Sequence, residues 1–162
     1  MKGRMRVRGD KQVIMMLQHI GKTVPDIARG QMKRSANRIV KRAKIMTPED
    51  STALMESIRI EKTYGERGRL QIEIMAGNAR LTLVRGKKID LNTYATLVHE
   101  AYETTVAPNG PGEGTKKKMN ANPSVTIGSG FMSRATEEEK EPLDRALIAG
   151  IRKVIKEARR RK

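Results

Sequence analysis

The chain has 162 residues with no cysteine, no tryptophan, ten methionines and a formal charge of +16. That is one domain with an aliphatic, methionine-rich interior, and it excludes a disulfide framework and thiol chemistry. The charge is uneven: residues 1–46 hold 13 Lys or Arg against Asp10 and Asp26, and residues 152–162 hold seven against Glu157, so the stretch between them is close to neutral. Two basic ends flanking a neutral body suggest an electrostatic partner or a solvated face, and composition leaves both open.

The first residues, MKGRMRVRGDK, are basic with no apolar run behind them, and nowhere do eighteen apolar residues follow one another. The expectation is therefore no signal peptide and no membrane span. After Asp10, a capping residue, Val13, Met16, Leu17 and Ile20 recur at helical spacing and Gly21 ends the run, so residues 1–24 read as a basic arm with a short helix. From Pro25 a long amphipathic helix follows. Met32, Ala36, Ile39, Val40, Ala43 and Met46 form its apolar face, and Lys33, Arg34, Arg38, Lys41 and Arg42 lie on its basic one. Arg34, Arg38 and Arg42 are off the apolar stripe, so the fold is expected not to need them.

Thr47-Pro48 closes that helix, and TPEDSTAL reads as a turn or a short capped helix with Thr47 as the cap. SIRIEKTY and RLQIEIMAG alternate about a YGERGR turn as a hairpin, and ARLTLVRG adds a third strand across Gly77-Asn78. IDLNTYATLVHEAY is ambiguous between strand and short helix. His99-Glu100 begins like the zinc-protease pattern H-E-x-x-H, but Glu103 stands where the second histidine belongs, and the one other histidine is His19. No metal, cofactor or catalytic set is expected, because catalytic zinc needs three protein ligands and an open position.

Residues 104–122 are rich in Gly, Pro, Asn and Lys without apolar periodicity, the composition of a long flexible loop. The GPGEGTKKK within it has neither the spacing nor the context of a phosphate loop. EPLDRALIAGIRKVIKEARRRK then places Leu143, Leu147, Ile151, Val154 and Ala158 on one stripe of a second long helix. Glu137, Glu138, Glu139 and Glu141 near its start, with Arg159, Arg160, Arg161 and Lys162 at its end, complement the helix dipole. The fold class is α+β: a small antiparallel sheet covered by two long amphipathic helices in a single domain, residues 1–162.

Three segments carry a resemblance. Pro48, Asp50, Thr52, Leu54, Ser57 and Ile58 stand in PEDSTALMESI after a long basic helix; Tyr94, Ala95, Val98, His99 and Glu100 follow the strands; Phe131 and Ala135 lie in GFMSRATEEEKEPL, which opens the last helix. In this order the chain, from about residue 26 to about residue 160, resembles the neck and tail-completion proteins that join head to tail in tailed bacteriophages. The turn departs from the family pattern by an extra residue and by Ala53 in place of glycine, and the loop at 104–122 is longer than in a minimal member.

The resemblance implies a structural, non-enzymatic virion protein, assembled in the host cytoplasm into a ring of six or twelve subunits in the neck. Its partners would be portal or head-connector and tail-terminator proteins, with non-specific contact to packaged DNA and none to a membrane. Pro48, Thr52, Tyr94, His99, Glu100 and Phe131 would serve fold and ring contacts, and Lys33, Arg34, Arg38, Lys41, Arg42, Arg159, Arg160 and Arg161 the electrostatic surface. The alternative from charge alone is a sequence-independent nucleic-acid binder, against which stands an aromatic content of 2%, too low for base-stacking platforms.

Overall fold

In a computed structural model, residues 10–49, 52–66, 69–78, 81–84 and 87–160 are described. The arm at 1–9, Asp50 and Arg161 lie outside them. The elements run α1 (Asp10–Met46), α2 (Thr52–Ser57), β1 (Arg59–Glu66), β2 (Arg69–Met75), β3 (Leu81–Val84), β4 (Lys87–Asp90), α3 (Leu91–Ala101), a π turn (Tyr102–Val106), α4 (Glu113–Ala121) and α5 (Phe131–Arg160). The class is α+β, in a single domain.

The two long helices dominate. At 1.5 Å per residue α1 is about 55 Å long and α5 about 45 Å, and they run antiparallel: Arg42 faces Glu138, Arg38 faces Glu139, and Ile27 lies against Gly150. A Cβ at Gly150 would stand 2.7 Å from the Ile27 side chain, so the missing side chain lets the helices approach. The expected break at Gly21 and Pro25 does not occur; both lie inside α1. Pro142 likewise lies inside a helix, α5, which begins at Phe131. An interior proline forfeits one backbone hydrogen bond and costs about 3 kcal/mol. Packing along the shared seam, where Ala36, Ala43, Val154 and Ala158 are buried, outweighs that local preference.

The β region is two separate antiparallel hairpins, not one three-stranded sheet. β1 pairs with β2, with a bulge between Ile60 and Lys62, and β3 pairs with β4. Residues 87–90, of which only Ile89 and Asp90 were read, as the start of an ambiguous segment, supply the partner of β3. Asp90 then caps α3, its carboxylate accepting from the Thr93 amide at 3.0 Å, and Val98 onward is helical. Ala53 lies within the right-handed α2, so the residue that replaces the family's glycine meets no left-handed turn.

The largest correction is at 104–122, where the expected flexible loop is a π turn followed by α4. α4 docks by polar contacts. The buried Thr115 hydroxyl accepts from the Glu49 amide at 2.9 Å and from the Tyr102 hydroxyl at 3.3 Å. Lys118 Nζ donates at 2.7 Å to the carbonyls of both Lys44 and Thr47. Thr47 is therefore not an N-cap: its hydroxyl donates back to Ala43 at 2.6 Å, closing α1. The Met46 carbonyl accepts from the Gly128 amide at 3.1 Å. Carbonyls at the buried end of α1, which a helix leaves without intrahelical partners, are thus satisfied by α4 and by the segment before α5. Gly114 permits this docking, because a Cβ there would fall 2.3 Å from the Glu49 carbonyl oxygen.

Burial lowers the Lys118 pKa from the ordinary lysine range, opposed by the charge of Glu49. Charged hydrogen bonds of this kind contribute about 1.5–3 kcal/mol. Lys118→Met, which keeps the stem and removes the donors, is expected to lower the unfolding free energy by about 2 kcal/mol in urea denaturation. An unchanged urea midpoint would show that the α1 end does not depend on this ammonium.

Candidate assembly site

The three motif segments, distant in sequence, meet in one core. Leu54, Ile58, Tyr94, Ala95, Val98, Phe131 and Ala135 form a continuous buried cluster with Ala43, Met46, Leu91 and Tyr102. Pro48 and Ser57 are buried beside it. The Ser57 hydroxyl donates to the Leu54 carbonyl at 2.6 Å and accepts from the Gly77 amide at 2.8 Å, tying the α2 end to the segment after β2. These residues hold the fold and are buried in the single chain.

Few of the motif residues reach the surface. Thr52 and Glu100 are exposed, and His99 is half-buried. The His99 ring meets Phe131 edge-on, with centroids 5.3 Å apart and planes at 74°, and its Nε2 lies 3.4 Å from the Ser133 hydroxyl. The His99 carbonyl accepts from the Gly130 amide at 2.6 Å, fixing the turn into α5. His99 and Glu100, with Ala76, Ala95, Thr96, Phe131 and Met132, line an open cleft of about 190 Å³. Among the described residues no three His, Asp or Glu side chains converge as a metal-ligand group.

The basic face divides in two. Arg38 binds Glu139 in a bidentate pair, Nε lying 3.0 Å from both carboxylate oxygens and Nη2 2.5 Å from one of them. Arg42 pairs with Glu138, Nε to Oε2 at 2.5 Å. The Glu139 side chain is 11% exposed and that of Arg38 is 49%, so this pair is set into the seam between α1 and α5. Arg38 and Arg42 were expected to be dispensable for the fold, and instead they join its two longest elements. The acidic residues were assigned to the helix dipole; because α5 starts at Phe131, its first turn holds no acid, and Glu138 and Glu139 serve α1.

Lys33, Lys41, Arg159 and Arg160 remain exposed with no carboxylate at ion-pair distance among the described residues, and Arg34 Nε donates to Gln31 at 3.2 Å. These five keep the role of an electrostatic surface open to them. The sequence reading did not single out Thr115 and Lys118, and it gave Glu138 and Glu139 to the helix dipole alone. Arg38 and Arg42 stand one helical turn apart, but residues of a solvated basic face have the same spacing, so nothing in the sequence singled out the pairs.

Among the described residues no helix is long and apolar enough to cross a membrane. Comparisons with protein-family models, with curated proteins and with solved structures find no match to the chain.

The Arg38 guanidinium, by hydrogen bonding, holds the Glu139 carboxyl below its ordinary range. The folded state therefore binds that proton more weakly than the unfolded chain. The resulting stability is present above the unfolded pKa of about 4.3 and is lost as pH falls through the lower folded value. Glu139→Gln should cost about 1–2 kcal/mol at pH 7, between the values for exposed and buried pairs. Its unfolding free energy should also fall less steeply than wild type below about pH 4.3. Parallel acid limbs for the two proteins in urea titrations would contradict the pairing.

Proposed function

We propose that the chain is a structural component of a tailed-phage neck, assembling as a homo-oligomeric ring between the portal or head connector and the tail. The observation that carries this reading is the convergence of its three motif segments, 48–58, 94–100 and 131–135, in one core. Sequence positions shared with the neck family are thus the positions on which this fold is built. The helix pair extending from that body gives each subunit two dissimilar surfaces, which a head-to-tail ring requires. Thr52 and Glu100, which are exposed, and His99, which is half-buried, are the motif residues that would meet a neighbour. Lys33, Arg34, Lys41, Arg159 and Arg160 supply an exposed positive surface for packaged DNA or an acidic adjoining ring.

Native mass measurement tests the assembly directly. The purified chain, mixed with portal-bearing heads, should add six or twelve copies per neck; a single copy, or no association, would overturn the reading. For the charge, Lys33→Gln, Arg34→Gln and Lys41→Gln together should leave thermal unfolding unchanged while weakening retention of packaged DNA. Because screening sets in over a Debye length of about 10 Å at 0.1 M salt, wild-type retention should approach that of the triple variant as salt rises. Retention equal to wild type at low salt would leave the charge as a solubility device. Binding to free duplex DNA without ring formation would instead favour a simple nucleic-acid binder.

A further inference from the structure

The distal end of α1 carries a surface that neither the core nor the basic face explains. Residues 13–17 read Val-Ile-Met-Met-Leu, and Val13, Ile14, Met15 and Leu17 are 51%, 52%, 60% and 58% exposed. At about 100° per residue these side chains point around most of the helix circumference. Met16 is partly covered. A helix that is apolar on every side belongs inside something, and by the register that sets Ile27 against Gly150 this stretch lies at or past the end of α5.

We propose that this end of α1 is a docking surface for an acidic amphipathic segment of a partner protein. Charge selects the occupant. Because the helices run antiparallel, the last turns of α5 accompany this half of α1, bringing exposed Arg152, Lys153, Lys156, Arg159 and Arg160 against a single acid, Glu157, with Lys22 on α1 itself. The apolar end is therefore set in a positive field.

A second copy would bring the same positive charge against it, which disfavours tip-to-tip pairing. A bilayer is a poor fit as well. Interfacial helices present one apolar face to lipid and one charged face to water, whereas here the apolar side chains surround the helix over about 7.5 Å of its length. An apolar ridge flanked by carboxylates meets both requirements. Exposure and charge alone carry the proposal, whatever the larger assembly.

The test uses the full chain and a synthetic helical peptide with leucine on one face and glutamate on the rest. The controls are a peptide of equal charge with serine for leucine, and phosphatidylglycerol vesicles. Met15→Ser with Leu17→Ser is the variant, chosen because both side chains are exposed and folding does not rest on them. Calorimetry should show the leucine–glutamate peptide binding at least about tenfold more tightly than the serine peptide, and the double substitution removing that advantage, since each apolar side chain buried is worth about a factor of ten or more. Equal binding of the two peptides, or a variant that binds as wild type does, would overturn the proposal. So would vesicle binding that the double substitution abolishes, which marks a membrane surface, or wild-type self-association that it abolishes, which marks a second copy.

Discussion

A helix that ends inside a protein must find partners for its last carbonyls, and the end of α1 imposes that requirement on everything around it. Thr47 turns its hydroxyl back to Ala43, Lys118 bridges Lys44 and Thr47, and the Gly128 amide reaches Met46. These partners come from the helix end itself, from α4 and from the approach to α5. Satisfying that one terminus therefore places the two segments that surround it. Met46 can then be buried with Phe131, Val98 and Tyr102, because the polar backbone beside it is already bonded.

From that fixed end the two long helices leave the body side by side, and their charges divide with distance from it. Near the body, Arg38 and Arg42 are taken up by Glu139 and Glu138. A carboxylate as covered as Glu139 is costly without a cation, and the bidentate guanidinium answers that cost while fixing the register of the two helices. Further out, the last turns of α5 are basic with little acid to offset them, and the first turns of α1 expose apolar side chains. The main buried cluster lies at one end of the molecule, and the exposed apolar residues of α1 lie at the other.

How much of this was legible depends on which force holds each part. The apolar stripes of α1 and α5 and the alternation of β1 and β2 were readable because burial writes its period into the sequence. The continuity of α1 through Gly21 and Pro25 was not, since the seam with α5 outweighs a local breaker and no window of neighbouring residues contains that seam. β3 was found but its partner was misplaced: with strands this short, the choice between pairing back to β2 and forward to residues 87–90 is a tertiary one. α4 was missed for a different reason. Its docking rests on a hydroxyl, an ammonium and the absence of a side chain at Gly114, none of which leaves an apolar pattern. In the candidate site, the apolar positions of the motif meet in one buried cluster, while the roles of Arg38 and Arg42 were hidden because an exposed basic face and a row of half-buried clamps have the same spacing.

Native-state amide hydrogen exchange across the whole chain tests the central claim, that the buried end of α1 and α4 form one unit, most directly. The account predicts that helical amides of residues 116–121 open with the same free energy as those of residues 40–47, since neither can open without stripping the other of its hydrogen bonds. Exchange at 116–121 as fast as in an unstructured peptide, with 40–47 still protected, would contradict it.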